Sequence, residues 1–98
     1  MYSKIISGKD LEENLENFDI IDVRTEEEYK LGHVEGAINI PYDEILENLD
    51  RIDKDKPTIV YCRSNARAEI ASLSLKSAGF PYIYIGDGVD LYDYKLVK

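Results

Sequence analysis

The chain has 98 residues, 12 basic against 20 acidic, with net charge −8 and a pI near 4.5. So acidic a chain excludes nucleic acid and anionic membrane surfaces as expected partners. One cysteine and one histidine exclude an internal disulfide, a C-x-x-C redox or zinc motif and a multi-histidine metal site.

No apolar run has the length of a signal peptide or a membrane span, so the expected location is cytoplasmic, where reducing conditions keep a thiol usable. The size is that of a single domain, 1–98, with 44% hydrophobic residues, sufficient for one core and for a monomer.

In chain order, Ile5–Ile6 forms a short edge strand. Ser7 or Asp10 caps a helix that shows Leu11 and Leu15 on one face. Phe18 to Val23 reads as a strand buried on both faces, as in a parallel sheet. Thr25 and Glu28 form a capping box for a helix that ends at Gly32; Glu26, Glu27 and Glu28 suit the positive end of its dipole. Ala37 to Ile40 is a short strand ended by Pro41, and Tyr42 to Leu49 reads as helical. Thr58 to Tyr61 is a β-branched buried strand. The helix after Arg67 carries Ile70 and Leu73 on one stripe and Ala71, Leu75 and Ala78 on the next, a broad face for a sheet, and Gly79 stops it. Pro81 to Ile85 is the last strand, Gly86–Asp87–Gly88 a loop, and Val89 to Tyr94 a final helical turn. Strands alternating with helices imply an α/β fold with a mostly parallel sheet.

The stretch Thr58 to Ala71 carries the chemistry. Cys62 stands where a strand ends and a helix begins, so the loop N–H groups and the helix N-terminus favour its thiolate. Arg63 and Arg67 flank it. From Lys56 to Gly86 the charge is +3, leaving −11 on the remainder, so an electropositive spot on an acidic body is expected to draw in an anionic small substrate. Cys62 and Arg67 are spaced C-x4-R, one residue shorter than the C-x5-R loop with which cysteine phosphatases cradle phosphate. The smaller ring of N–H donors, Arg63, Ser64, Asn65, Ala66 and Arg67, suits a sulfur carried on the cysteine. Asn65 is the residue expected at positive φ. In parallel sheets ligands bind beyond the strands' carboxyl ends, which places Asp22–Val23–Arg24 and the 86–88 loop around the same spot.

Two patches resemble one family. Ile21–Asp22–Val23–Arg24, then Glu28, then Gly32–His33–Val34–Glu35–Gly36–Ala37–Ile38–Asn39–Ile40–Pro41 looks like the opening motif of rhodanese domains. Ile59 to Ala68 looks like their active-site loop. The resemblance, over nearly the whole chain, implies a rhodanese-like three-layer sandwich: a central five-stranded parallel sheet with helices on both faces. It implies a thiosulfate sulfurtransferase that carries sulfane sulfur as a Cys62 persulfide, from a small anionic donor to cyanide or a thiol, without metal or organic cofactor, with a sulfur-relay protein as a further partner. Where the family usually has Gly, this chain has Asn65. Asp87–Gly88 and Tyr92 stand in for its Gly-Gly and tryptophan, and Asp87 is expected to set a negative charge near the site.

Around Cys62, Asp22 and Arg24 read as local structural pairing, and His33 as ordering its loop rather than as a general base. Ser64 is a donor to bound sulfur or a small loop residue. Tyr82, Tyr84 and Tyr92 read as core and rim. Two other functions share these residues: a non-catalytic rhodanese-like sulfur-carrier or partner-binding module, and a phosphatase or arsenate reductase, which the short loop disfavours.

Overall fold

A computed structural model describes residues 4–98. The elements run β1 (Lys4–Ile6), α1 (Gly8–Glu13), β2 (Asp19–Asp22), α2 (Glu26–Leu31), β3 (His33–Val34), β4 (Ile38–Asn39), β5 (Thr58–Tyr61), α3 (Ala66–Ser77), β6 (Ile83–Gly86) and β7 (Leu96–Val97). Five strands make one sheet in the order β1-β6-β5-β2-β4, and every neighbouring pair is parallel. β5 is therefore central, with β2 and β6 on either side.

Alternation along each strand divides the core. Ile21, Val23, Val60, Cys62, Ile83 and Ile85 face one side, with Ala68, Ala71 and Leu75 of α3 and with Ile45. Ile20, Ile59 and Tyr61 face the other, with Leu11 of α1, Tyr29 of α2 and Tyr94 packed on them. The sheet is covered on both faces, which is why its strands read as near-continuous apolar runs.

Local signals set the helix boundaries. The Ser7 hydroxyl accepts from Asp10 N. Thr25 and Glu28 form the reciprocal capping box, and α2 ends before Gly32. Gly79 follows α3 with φ +90°, the left-handed conformation that ends helices on glycine.

Four expectations need correction. Residues 42–47 form a 3-10 helix, not an α-helix. The segment has no side-chain cap at Pro41, and the Asn48 side chain donates to the Glu44 carbonyl at its end, so the run is too short to recover an α-helix's nucleation cost. α1 ends at Glu13, and Leu15 lies in a separate 3-10 turn. The apolar face of α3 is narrow: Ala68, Ala71, Ser72 and Leu75 are buried, while Ile70 and Leu73 are 50% and 61% exposed. At 3.6 residues per turn those two side chains lie opposite the buried seam. Finally, the turn expected over Val89 to Tyr94 is confined to its start, where Leu91 N and Tyr92 N donate to the Gly88 carbonyl at 2.9 and 3.2 Å; Val89, Tyr92 and Tyr94 pack on the α1 face, and β3 and β7 form an antiparallel pairing that has no sequence signal. Among the described residues no helix is long and apolar enough to cross a membrane.

Candidate active site

Cys62 follows the last residue of the central strand. Period-two alternation turns its side chain to the α3 face, where it packs in the same cluster as Ala68 and Ala71. It is 1% exposed. An open nucleophile is therefore not what the fold presents; a reagent reaches the sulfur only if groups above it move.

The loop over Cys62 is held from one side. Val89 N donates to the Cys62 carbonyl at 3.0 Å and Asp90 N to the Arg63 carbonyl at 3.0 Å. Gly88 N donates to the Asn65 side-chain oxygen at 3.0 Å. Asn65 has φ 76° and ψ −16°, so it takes the left-handed conformation in the middle of the loop, as its residue type allows. Among the described residues, no acceptor meets the main-chain N–H groups from Arg63 to Ala68. Donors left over at a helix start, preceded by a left-handed residue, form an anion-binding concavity. Ser64 and Ala66 are exposed.

The two arginines depart from expectation. Arg67 Nη1 and Nη2 donate to Glu28 Oε1 and Oε2 at 2.8 and 3.2 Å, a forked pair. Arg63 Nε and Nη2 donate to Asp90 Oδ2 and Oδ1 at 3.2 and 3.0 Å, and its Nη1 lies 3.7 Å from Glu28 Oε2. The four side chains form a row, Asp90–Arg63–Glu28–Arg67, whose charges cancel. The electropositive spot expected from segment charge is thus neutralised by acids from α2 and from the loop after β6. The Arg67 hydrogen bonds hold the Glu28 carboxyl at about 2, with burial opposing and Thr25 assisting. Glu28 in turn raises Arg67, against burial, and a negative charge on Cys62 adds to the rise.

Asp22 and Arg24 lie in a separate buried network. Asp22 Oδ1 accepts from Arg24 N at 2.9 Å and from Nε at 3.0 Å, while Oδ2 accepts from Arg24 Nη2 at 2.7 Å and from the Tyr61 hydroxyl at 2.8 Å. That hydroxyl accepts from Val34 N at 3.0 Å, and Arg24 Nη2 also donates to the Gly32 carbonyl at 2.7 Å. Burial first and the Asp22 charge next push the Tyr61 phenol far up. Burial pulls Arg24 down, but Asp22, with smaller contributions from Tyr61 and Glu28, leaves it raised. The network ties the carboxyl ends of β2 and β5 to the turn after α2, so these groups orient the platform beneath the loop.

His33 Nδ1 is 2.9 Å from the Tyr29 carbonyl, and its ring stacks on Tyr29 at 3.7 Å. Asp87 does not aim a charge at Cys62: its Oδ2 accepts from Gly8 N at 2.9 Å, closing the start of α1. Sequence reasoning missed Glu28 and Asp90 as partners of the arginines, and the role of Gly88. A usable signal existed: in a parallel sheet the first turn of α2 and the loop after β6 open at the same edge as the Cys62 loop, so acids there are the nearest counter-ions. Among the described residues no group of three His, Cys, Asp or Glu side chains comes together as a metal site.

Known proteins share this fold. A family model described as Rhodanese-like domain matches residues 7–89. The tRNA uridine(34) hydroxylase of Buchnera aphidicola is 36% identical over 87 residues, 81% of this chain but 28% of that protein, so the chain spans little more than a quarter of that relative. A rhodanese-related protein of Thermoplasma volcanium superposes with TM-score 0.85 at 28% identity, covering 96% of this chain and 97% of that one. A rhodanese with anions from E. coli superposes with TM-score 0.75 at 32% identity, covering 83% and 98%. The sequence match runs from the capped start of α1 to the loop that clamps Cys62, and on it the chain belongs to the rhodanese-like domain family.

Proposed function

We propose that the chain is a cytoplasmic sulfurtransferase working through a persulfide on Cys62. One observation carries the reading: the Cys62 to Arg67 loop presents a run of main-chain N–H groups with no acceptor among the described residues, at the start of α3 and next to the single cysteine. The Cys62 thiolate attacks the outer sulfur of a donor such as thiosulfate. The donor's S–S bond breaks, and sulfite leaves with its electron pair. The terminal sulfur of the persulfide then sits against the loop N–H groups, which stabilise its negative charge. A thiolate acceptor or cyanide attacks that sulfur, leaves as a new persulfide or as thiocyanate, and returns the Cys62 thiolate. Covalent catalysis here splits one transfer into two displacements. Asp22, Arg24 and Tyr61 hold the strand ends, and no side chain is required as a general base for a thiolate nucleophile.

The test is intact-protein mass spectrometry after incubation with thiosulfate. An adduct of one sulfur on Cys62, removed by cyanide, supports the proposal; a folded protein that acquires it neither from thiosulfate nor from an uncharged organic polysulfide refutes it. A second reading, a non-catalytic carrier or partner-binding module, is favoured by the 1% exposure of Cys62. It predicts stable loading by a protein partner without turnover to cyanide.

A further inference from the structure

The charges flanking Cys62 are already paired. Arg63 gives two N–H groups to Asp90 and turns a third towards Glu28; Arg67 gives two to Glu28. A guanidinium has five N–H donors in a rigid fork, and a carboxylate in the fork occupies the edge that would bind an oxyanion. A free anion such as thiosulfate must displace one of these carboxylates or approach with only the main-chain N–H groups, and no free guanidinium, to attract it. Exposed Glu27 and Glu69, in the first turns of α2 and α3, add only negative charge, on a chain of net charge −8.

We infer that Asp90, with Glu28, sets donor specificity: by cancelling Arg63 and Arg67 they turn the Cys62 site against small free anions and towards sulfane sulfur delivered on a scaffold without negative charge at its delivering end, such as a persulfide on a peptide with neutral or basic neighbours. This rests on the reading of Cys62 as the sulfur-carrying residue. Asp90 touches no substrate; it acts through Arg63. Its side chain is 47% exposed and its main-chain bond to the Arg63 carbonyl survives substitution, so Asp90→Asn removes charge without removing the loop clamp.

The test uses two alkylating reagents of nearly equal size, anionic iodoacetate and neutral iodoacetamide. Their rate ratio at Cys62 reads the local potential, because any opening needed to reach the buried sulfur is common to both. The same chain in urea supplies the reference ratio. In the folded wild type the ratio stays at or below that reference. Asp90→Asn raises it by roughly threefold to tenfold at low ionic strength, salt abolishes the gain, and Asp90→Glu restores the wild-type value. Glu28→Gln raises it through Arg67. A wild-type ratio well above the reference, or an unchanged ratio in both neutral variants, overturns the inference. If thiosulfate still loads Cys62 in that case, the sulfur-transfer reading stands alone. If neither reagent modifies Cys62 in the folded protein, that reading and this inference fall together.

Discussion

Gly88 lies against the main chain of Arg63. A β-carbon at residue 88 would overlap the Arg63 carbonyl oxygen and carbon, and the Gly88 N–H donates to the Asn65 side chain. The loop after β6 can therefore clamp the Cys62 loop only with glycine at this position. All three atoms that meet the added carbon, the Arg63 carbonyl oxygen and carbon and Ser64 N, are backbone, so none can rotate away.

Gly88→Ala is accordingly expected to push the two loops apart. Overpacking against fixed backbone costs about 1–3 kcal/mol, and persulfide formation should drop with it. Urea denaturation and thiosulfate loading measured side by side check this; wild-type stability and loading would show that the loops are not clamped at residue 88.

Asn65 supplies the turn. Asn65→Ala keeps a β-carbon in the left-handed conformation without asparagine's tolerance for it, and loses the acceptor for Gly88 N. Asn65→Gly loses only the acceptor, so it should be the milder change. The order of the two urea midpoints is the readout, and an alanine variant as stable as wild type contradicts the φ of 76°.

Tyr61→Phe removes the hydroxyl that joins Asp22 Oδ2 to Val34 N. Both groups lie in a buried network, and a buried donor left without a partner costs about 1–3 kcal/mol. The variant should unfold earlier while still accepting sulfur at reduced rate. A neutral effect on stability would mean that water replaces the hydroxyl.

The Glu28 carboxyl lies at about 2 in the folded protein against an ordinary 4.5. Between these values the unfolded chain binds the proton and the folded chain does not. Glu28 therefore stabilises fully above pH 4.5, and its contribution is lost as pH falls towards 2. Acid titration of unfolding, comparing wild type with Glu28→Gln, should give a shallower slope for the variant in that window; identical slopes would mean the Arg67 fork does not form in solution.

Cys62→Ala should leave folding intact and abolish persulfide formation. The removed sulfur leaves a small void in the α3-side cluster, for a cost on the order of 1–2 kcal/mol. Retained transfer near the wild-type rate would mean that another group carries the sulfur.

Much of this fold was legible because its signals are local. The Thr25 capping box spans three residues, Gly79 ends α3 at its own position, and Asn65 announces a left-handed turn by residue type. The apolar runs at 20–23 and 58–61 announce a doubly covered sheet, which places Cys62 at a strand's carboxyl end. The weak segments failed for equally physical reasons. Residues 42–47 lack a side-chain cap, Ile70 and Leu73 fit an apolar pattern yet lie on the wrong side of α3, and β3 and β7 pair across 62 and 64 residues of chain.

The charge state of the site belongs to the tertiary structure alone. Arg63 meets Asp90 across 27 residues and Arg67 meets Glu28 across 39, because β5 lies between β2 and β6 and brings the loops that follow all three strands to one edge. By itself the sequence determined that the single thiol follows a buried strand and that Asn65 takes the left-handed turn before the helix. Strand order determined which charges face one another, because Coulomb pairing depends on distance in space and not on separation along the chain.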